Sequence, residues 1–201
     1  MLTEEQIRRL DDQFRFILEI DKEKSIVRQT PISDASRMEN DAEHAWHMAV
    51  MTLLLSEYAT EKIDVLRTVS MLLIHDLIEI YAGDTYAFDE EAKAGQAERE
   101  RAAADRLYAL LPEDQGRKMR GLWDEFEAAE TPEAKFARAM DNLQPMMLNN
   151  ATEGVSWVEH GVRLEQILER NRNTHKGSEV LWEYARDHLL MPNVKKGYIH
   201  T

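Results

Sequence analysis

Apolar residues recur along this chain at intervals of three and four and almost nowhere in strict alternation, a pattern that predicts helices. Thr3 followed by Gln6 has the form of a capping box and opens a helix to about residue 20. The stretch 25–40 is polar, contains Pro31 and reads as a structured loop. Asn40 or Asp41 caps a second helix to about residue 58, and 64–82 makes the third, with Gly83 as its stop. An aromatic and acidic loop over 84–89 leads to a long charged helix ending near Leu111 and Pro112, and residues 113–129 make another. Thr131-Pro132-Glu133 combines a cap, a first-turn proline and an acid, and starts the helix that carries Asp141. Helices over 155–172 and 178–189 precede an irregular tail. With no repeat, low-complexity tract or linker, the expectation is one all-α domain over residues 1–201.

The third helix holds Leu72-Leu73-Ile74-His75-Asp76-Leu77-Ile78-Glu79-Ile80-Tyr81-Ala82, apolar on every face yet carrying a histidine and an aspartate side by side. A helix hydrophobic all round is buried. An ionised carboxylate buried without a partner is costly, so His75 and Asp76 ask for one, and a divalent cation is the simplest. His44 offers a ligand from the opening turn of a helix continued by Met48, Met51 and Leu55. Asp141 offers another, beside the stripe Phe136, Met140, Leu143 and Met147. Four residues after it, Pro145 lacks the N–H that would bond the Asp141 carbonyl. Two neutral imidazoles and two carboxylates suit one divalent transition metal (Mn, Fe, Co, Ni or Zn) without choosing among them. Taken singly, His44 also reads as a hydrogen-bonded core histidine and Asp141 as half of an ion pair.

Composition narrows the function classes. At 201 residues the chain is long enough for a core without staples, and the absence of cysteine excludes disulfides and thiolate–metal sites. No apolar run reaches the ~20 residues of a membrane span. The first residues lack the basic and apolar regions of a signal peptide, so a cytoplasmic protein is expected. A net charge of −13 and a pI near 5.0 argue against a nucleic-acid partner, which needs a basic face. They leave room for a small anionic substrate held by a few local arginines. Arg28 and Arg37 flank the segment leading to His44 and are candidate phosphate clamps.

The ordered pattern of His44, His75-Asp76 and Asp141 resembles the HD-domain metal-dependent phosphohydrolases. The extended set, Glu39-Asn40-Asp41-Ala42-Glu43-His44 and then His75-Asp76-Leu77-Ile78-Glu79 with Gly83-Asp84, resembles the branch containing the 5′-deoxynucleotidases. This resemblance runs from about Arg28 to past Asp141. It implies an α-helical phosphohydrolase with one divalent ion held by His44, His75, Asp76 and Asp141. It also implies Glu79 near the attacking water, Asp84 near the nucleotide sugar, Arg28 near the phosphate, and a homodimer. Arg28 is followed here by Gln29 and Thr30, where the best-matching deoxynucleotidases carry a tryptophan. In a helix Glu79 shares a side with His75 and Asp76, either to shuttle a proton or to hold a ligand histidine. No histidine lies between His75 and Asp141 to complete a second metal site with His47. The expected activity is phosphate release from deoxynucleoside 5′-monophosphates. The alternatives are hydrolysis of another nucleotide (triphosphate, cyclic or alarmone) and a non-catalytic, metal-containing sensing or assembly domain.

Overall fold

The N-terminal capping box forms as its residues dictate. The Gln6 backbone N–H donates to Thr3 Oγ1 at 3.2 Å, Gln6 Oε1 accepts from the Thr3 N–H at 2.9 Å, and α1 runs Glu4–Ile20. The structure, a computed structural model, describes residues 1–83 and 95–201. The expected aromatic and acidic loop, Asp84 within it and the start of the charged helix lie outside the described residues.

The segment expected as a loop is a small antiparallel hairpin. Strand β1 (Val27–Pro31) pairs with β2 (Met38–Asn40), Val27 opposite Asn40 and Pro31 opposite Met38, so the register shifts between the two pairs. Its tip turns through Asp34, whose side chain accepts from the Ser36 N–H, and through Ala35 at φ 56°. Asn40 then caps α2 (Asp41–Leu55) in a second capping box: Glu43 N–H donates to Asn40 Oδ1 at 3.0 Å and Asn40 N–H to Glu43 Oε2 at 3.1 Å. The hairpin therefore sets Arg28 on one strand and Glu39 on the other, directly ahead of His44.

The helix expected over 64–82 is interrupted. It splits into α3 (Val65–Leu72), capped by Asp64, and the single turn α4 (Glu79–Ala82), which Gly83 ends at φ 78°. Residues 73–78 turn between the two, so His75 and Asp76 sit on a bend rather than on a regular helix. Apolar periodicity does not show this break because Ile74, Leu77 and Ile78 are buried on the bend as they would be on a helix.

Helices α5 (Gln96–Tyr108) and α6 (Glu113–Ala128) follow, with α7 (Pro132–Ala151) at the centre of the molecule. Thr131 caps α7, accepting from the Ala134 N–H at 3.2 Å, and the helix continues through Pro145. Buried positions on α7 include Ala134, Phe136, Ala137, Met140, Leu143 and Met146, so it is wrapped on most of its sides. The expected helix over 155–172 is divided into α8 (Val155–Glu159) and α9 (Leu164–Arg170), with Gly161 at φ 58° between them. Next, α10 (Thr174–Gly177) approaches α7 very closely. A Cβ on Gly177 would lie 2.3 Å from the Lys135 carbonyl oxygen and 2.9 Å from the Ala139 Cβ, so only glycine fits there. Helix α11 (Glu179–Ala185), capped by Ser178, passes through a π-type turn into α12 (Met191–Lys195). The tail is pinned rather than irregular: His200 N–H donates to the Val162 carbonyl at 3.1 Å and Leu164 N–H to the His200 carbonyl at 2.7 Å. Apart from the hairpin the described fold is all-α, and no described helix is long and apolar enough to cross a membrane.

Candidate active site

Three ligand-type side chains from separate segments converge between α2, α7 and the bend. His44, in the first turn of α2, is fully buried, with Nε2 3.2 Å from Asp141 Oδ1 on α7. His75, on the bend, places Nε2 3.9 Å from the same oxygen. One ligand atom from each of His44, His75 and Asp141 lies within 4.8 Å of the others.

The far nitrogens are already committed. His44 Nδ1 lies 2.9 Å from Gln144 Oε1 and His75 Nδ1 lies 2.9 Å from the Leu72 carbonyl. Neither oxygen can donate, so each Nδ1 carries a proton, which leaves Nε2 of each ring as the nitrogen that faces Asp141 and could serve a metal. His75 Nε2 is buried and makes no hydrogen bond of good geometry although Asp76 Oδ2 lies 3.0 Å away, a costly arrangement in a core that a metal at this nitrogen would relieve. Two imidazole nitrogens and a carboxylate oxygen suit a divalent first-row metal, so the residues present fit one.

Asp76 stands at the edge of this group. Its Oδ2 lies 3.0 Å from His75 Nε2 and accepts from Arg28 Nη1 at 2.8 Å, so it is turned partly to the hairpin. Arg28 also donates to Asp41 Oδ1 at 3.1 Å, and its Nε lies 3.6 Å from Glu39 Oε1. One guanidinium thus gathers three acids.

The titrations follow from this crowding. Burial works against the charged form of Asp76 and of Asp141. For Asp76 the His75 and Arg28 charges win, and for Asp141 the His44 hydrogen bond and the Arg170 charge do, so both carboxyls stay well below the usual range. Burial lowers His75, but the adjacent Asp76 outweighs it and pushes the ring up to about 9. Asp41 is raised to about 6 by burial and by Asp76.

A cavity of about 190 Å³ opens from this group, with Arg28, Asp76, Glu79, Arg138, Asp141 and Arg170 among its lining residues. Glu79 and Arg28 both line the cavity wall. Arg37 does not. It lies past the hairpin tip with its side chain 53% exposed, held by Glu43 through a pair of hydrogen bonds at 2.6 and 2.7 Å, and it does not line the cavity. Asp84 lies outside the described residues.

Three contributors went unnoticed in the sequence. Gln144 is fully buried, fixes His44 through Oε1, and donates through Nε2 to Glu39 Oε2 at 2.8 Å. Its signal was available: a polar residue three positions after Asp141, on the same helix face. Arg138 and Arg170 bring Nη1 and Nη2 to 3.9 and 3.6 Å from Asp141 Oδ2. Arg170 lies in a charged stretch that reads as a solvated face, and only tertiary packing reveals it.

Residues 20–182 match the HD domain. The chain belongs to the HD-domain family. Among HD-domain relatives, it is 29% identical over 143 residues to the 5′-deoxynucleotidase HDDC2 of Xenopus laevis, covering 71% of this chain and 69% of that protein. It is 30% identical over 114 residues to the 5′-deoxynucleotidase HDDC2 of Homo sapiens, covering 57% and 54%. These alignments thus span between 54% and 69% of the relatives' own length. Over the whole of both chains it is 47% identical to the crystal structure of a predicted metal-dependent phosphohydrolase from Magnetospirillum magnetotacticum MS-1, with a TM-score of 0.93. The HD-domain match encloses His44, the His75-Asp76 doublet and Asp141.

Proposed function

We propose that this HD-domain protein is a metal-dependent phosphomonoesterase acting on deoxynucleoside 5′-monophosphates. The observation that carries the reading is the convergence of His44 Nε2, His75 Nε2 and Asp141 Oδ1 at the buried end of a cavity whose wall carries arginines. The 5′-deoxynucleotidase relatives supply the substrate class.

His44, His75 and Asp141, with Asp76 beside them, would hold one divalent ion, which would supply charge neutralisation on the phosphoryl oxygens and a water acidified towards a pKa of ~7. Gln144 and the Leu72 carbonyl keep both imidazoles in the tautomer that presents Nε2. Arg28 offsets the charge of Asp41 and Asp76. We assign to Glu79, on the cavity wall, the exchange of protons with the attacking water and the departing sugar oxygen. Asp84 is proposed to meet the sugar, on the resemblance alone.

A homodimer is proposed as well. Ile7, Leu10, Phe14, Ile17 and Leu18 on α1 and Trp46, Leu53 and Leu54 on α2 are exposed apolar side chains that a second copy would cover. Light scattering of the purified protein tests this, and a monomer at micromolar concentration removes it.

The activity is tested by phosphate release from a panel of ribo- and deoxyribonucleoside mono-, di- and triphosphates, using metal-stripped protein resupplied with Mn, Co, Ni, Zn or Mg. Release from the deoxy-monophosphates with at least one metal is expected. Metal binding with no release from any nucleotide would leave a sensing domain instead.

A further inference from the structure

We propose that Arg170 is the principal phosphate anchor of this cavity. The inference rests on the phosphomonoesterase reading and assigns its anion subsite to the C-terminal half of the chain, away from the hairpin.

Charge commitment decides among the arginines. Arg28 Nη1 is held by Asp76 at 2.8 Å and Asp41 at 3.1 Å, Glu39 lies 3.6 Å from Nε, and the side chain is 13% exposed. Arg37 is outside the cavity. Arg138 donates to Glu127 Oε1 at 2.7 Å and to the Phe126 carbonyl at 3.3 Å, and lies 4.0 Å over the Phe126 ring. Arg170 differs from all three. Among the described residues its guanidinium makes no hydrogen bond, its one ion-pair contact is Asp141 Oδ2 at 3.6 Å, and its side chain is 31% exposed on the cavity wall. A distance of 3.6 Å is too long for a hydrogen bond, so the N–H fork remains available for a planar or tetrahedral oxyanion. Asp141 faces both ways: Oδ1 meets the histidines and Oδ2 meets Arg170. A phosphate entering between them finds the guanidinium next to the group that would bind the metal.

The position of Arg170 is fixed by a buried chain of hydrogen bonds that begins next to Asp141. Asn142 Nδ2 donates to Thr174 Oγ1 at 3.0 Å, Thr174 Oγ1 donates to Asn171 Oδ1 at 3.1 Å, and Asn171 Nδ2 donates to the Ile167 carbonyl at 2.9 Å. Thr174 and Asn171 are each 2% exposed, and Ile167 anchors α9 in the core. The last turn of α9, with Arg170 at its end, is thereby locked in register with α7. A merely solvated arginine would need no such tether.

The test uses the metal-loaded full chain and inorganic phosphate as probe. For Arg170→Gln, the inhibition constant of inorganic phosphate and the KM for a deoxynucleoside monophosphate are expected to rise about tenfold or more, as for the loss of a charge-assisted pair. Arg170→Lys should recover part of that loss. Metal content and melting temperature should stay at wild-type values, which separates phosphate capture from a structural role in holding Asp141. Thr174→Val, which loosens the tether without touching the guanidinium, should raise the phosphate constant by a smaller factor. Phosphate affinity and KM within about twofold of wild type in Arg170→Gln, or loss of metal in parallel with loss of affinity, overturns the inference. Failure of the wild-type protein to release phosphate from any nucleotide would instead overturn the reading on which it rests.

Discussion

The two ends of the cavity are built on opposite terms. At the inner end His44 and Gln144 are fully buried, and both histidine Nδ1 atoms and the Gln144 amide are tied down. At the outer wall Arg138 and Arg170 are about one-third exposed and stand off Asp141 beyond hydrogen-bond range. The inner end fixes which atoms face a metal, because a mispointed imidazole in a core has no solvent to correct it. On the outer wall Arg170 keeps its charge uncommitted, because a group that must release its product cannot already be saturated. The lesson is that rigidity and availability are divided here between different residues of one site rather than shared by all.

That contrast can be broken most severely at the shared carboxylate. Asp141→Ala removes the oxygen facing both histidines and leaves them opposite a void. We expect metal content near zero and activity at background, read by elemental analysis and phosphate release. Next in size is Gln144→Leu, which takes the acceptor from His44 Nδ1 and the donor from Glu39 together. Metal affinity should fall by about 10- to 100-fold in a competition titration, the usual scale for a residue that orients a ligand histidine. A change within about twofold would show that His44 needs no orienting partner.

A smaller effect concerns the acids behind the inner end. Glu23 is buried with Oε1 unpaired, and burial followed by the Asp76 and Asp41 charges raises its carboxyl to about 7. The folded value lies above the unfolded one, so the fold favours the neutral form. Its contribution is present below about pH 4.5 and is lost as pH rises through about 7. In metal-free protein, Glu23→Gln should therefore gain stability relative to wild type across that window, on the order of 1–3 kcal/mol by pH 8. A parallel pair of stability–pH curves would sink the assignment. The least effect is expected at the exposed end of the hairpin. Arg37→Ala should leave KM within about twofold and cost under about 1 kcal/mol, because it breaks a surface pair with Glu43 and one exposed bond to the Met38 carbonyl.

What the sequence disclosed and what it hid divide along physical lines. His44, the His75-Asp76 doublet and Asp141 stood out because ionisable groups amid apolar stripes need partners, and the structure does bring three of the four within one cluster. The capping box at Thr3, a cap at Asn40 or Asp41 and the stop at Gly83 were legible because each is a short-range hydrogen-bonding device. The hairpin was not, since Arg28, Gln29 and Pro31 mask its strand character and its pairing is settled by contact with α2. Arg37 looked equivalent to Arg28 by position, but the turn at Asp34 and Ala35 sends it out to Glu43. Arg170 was invisible for the converse reason: nothing near it in sequence marks it, and only the docking of α9 and α10 against α7 brings it to Asp141.

The close seat of Gly177 on α7 ties that docking to a tolerance of less than one methyl group. Thr174, three residues earlier on the same turn, is the middle link of the tether to Arg170. Any side chain at position 177 would lift the turn and slacken the tether that positions Arg170, a residue it never touches.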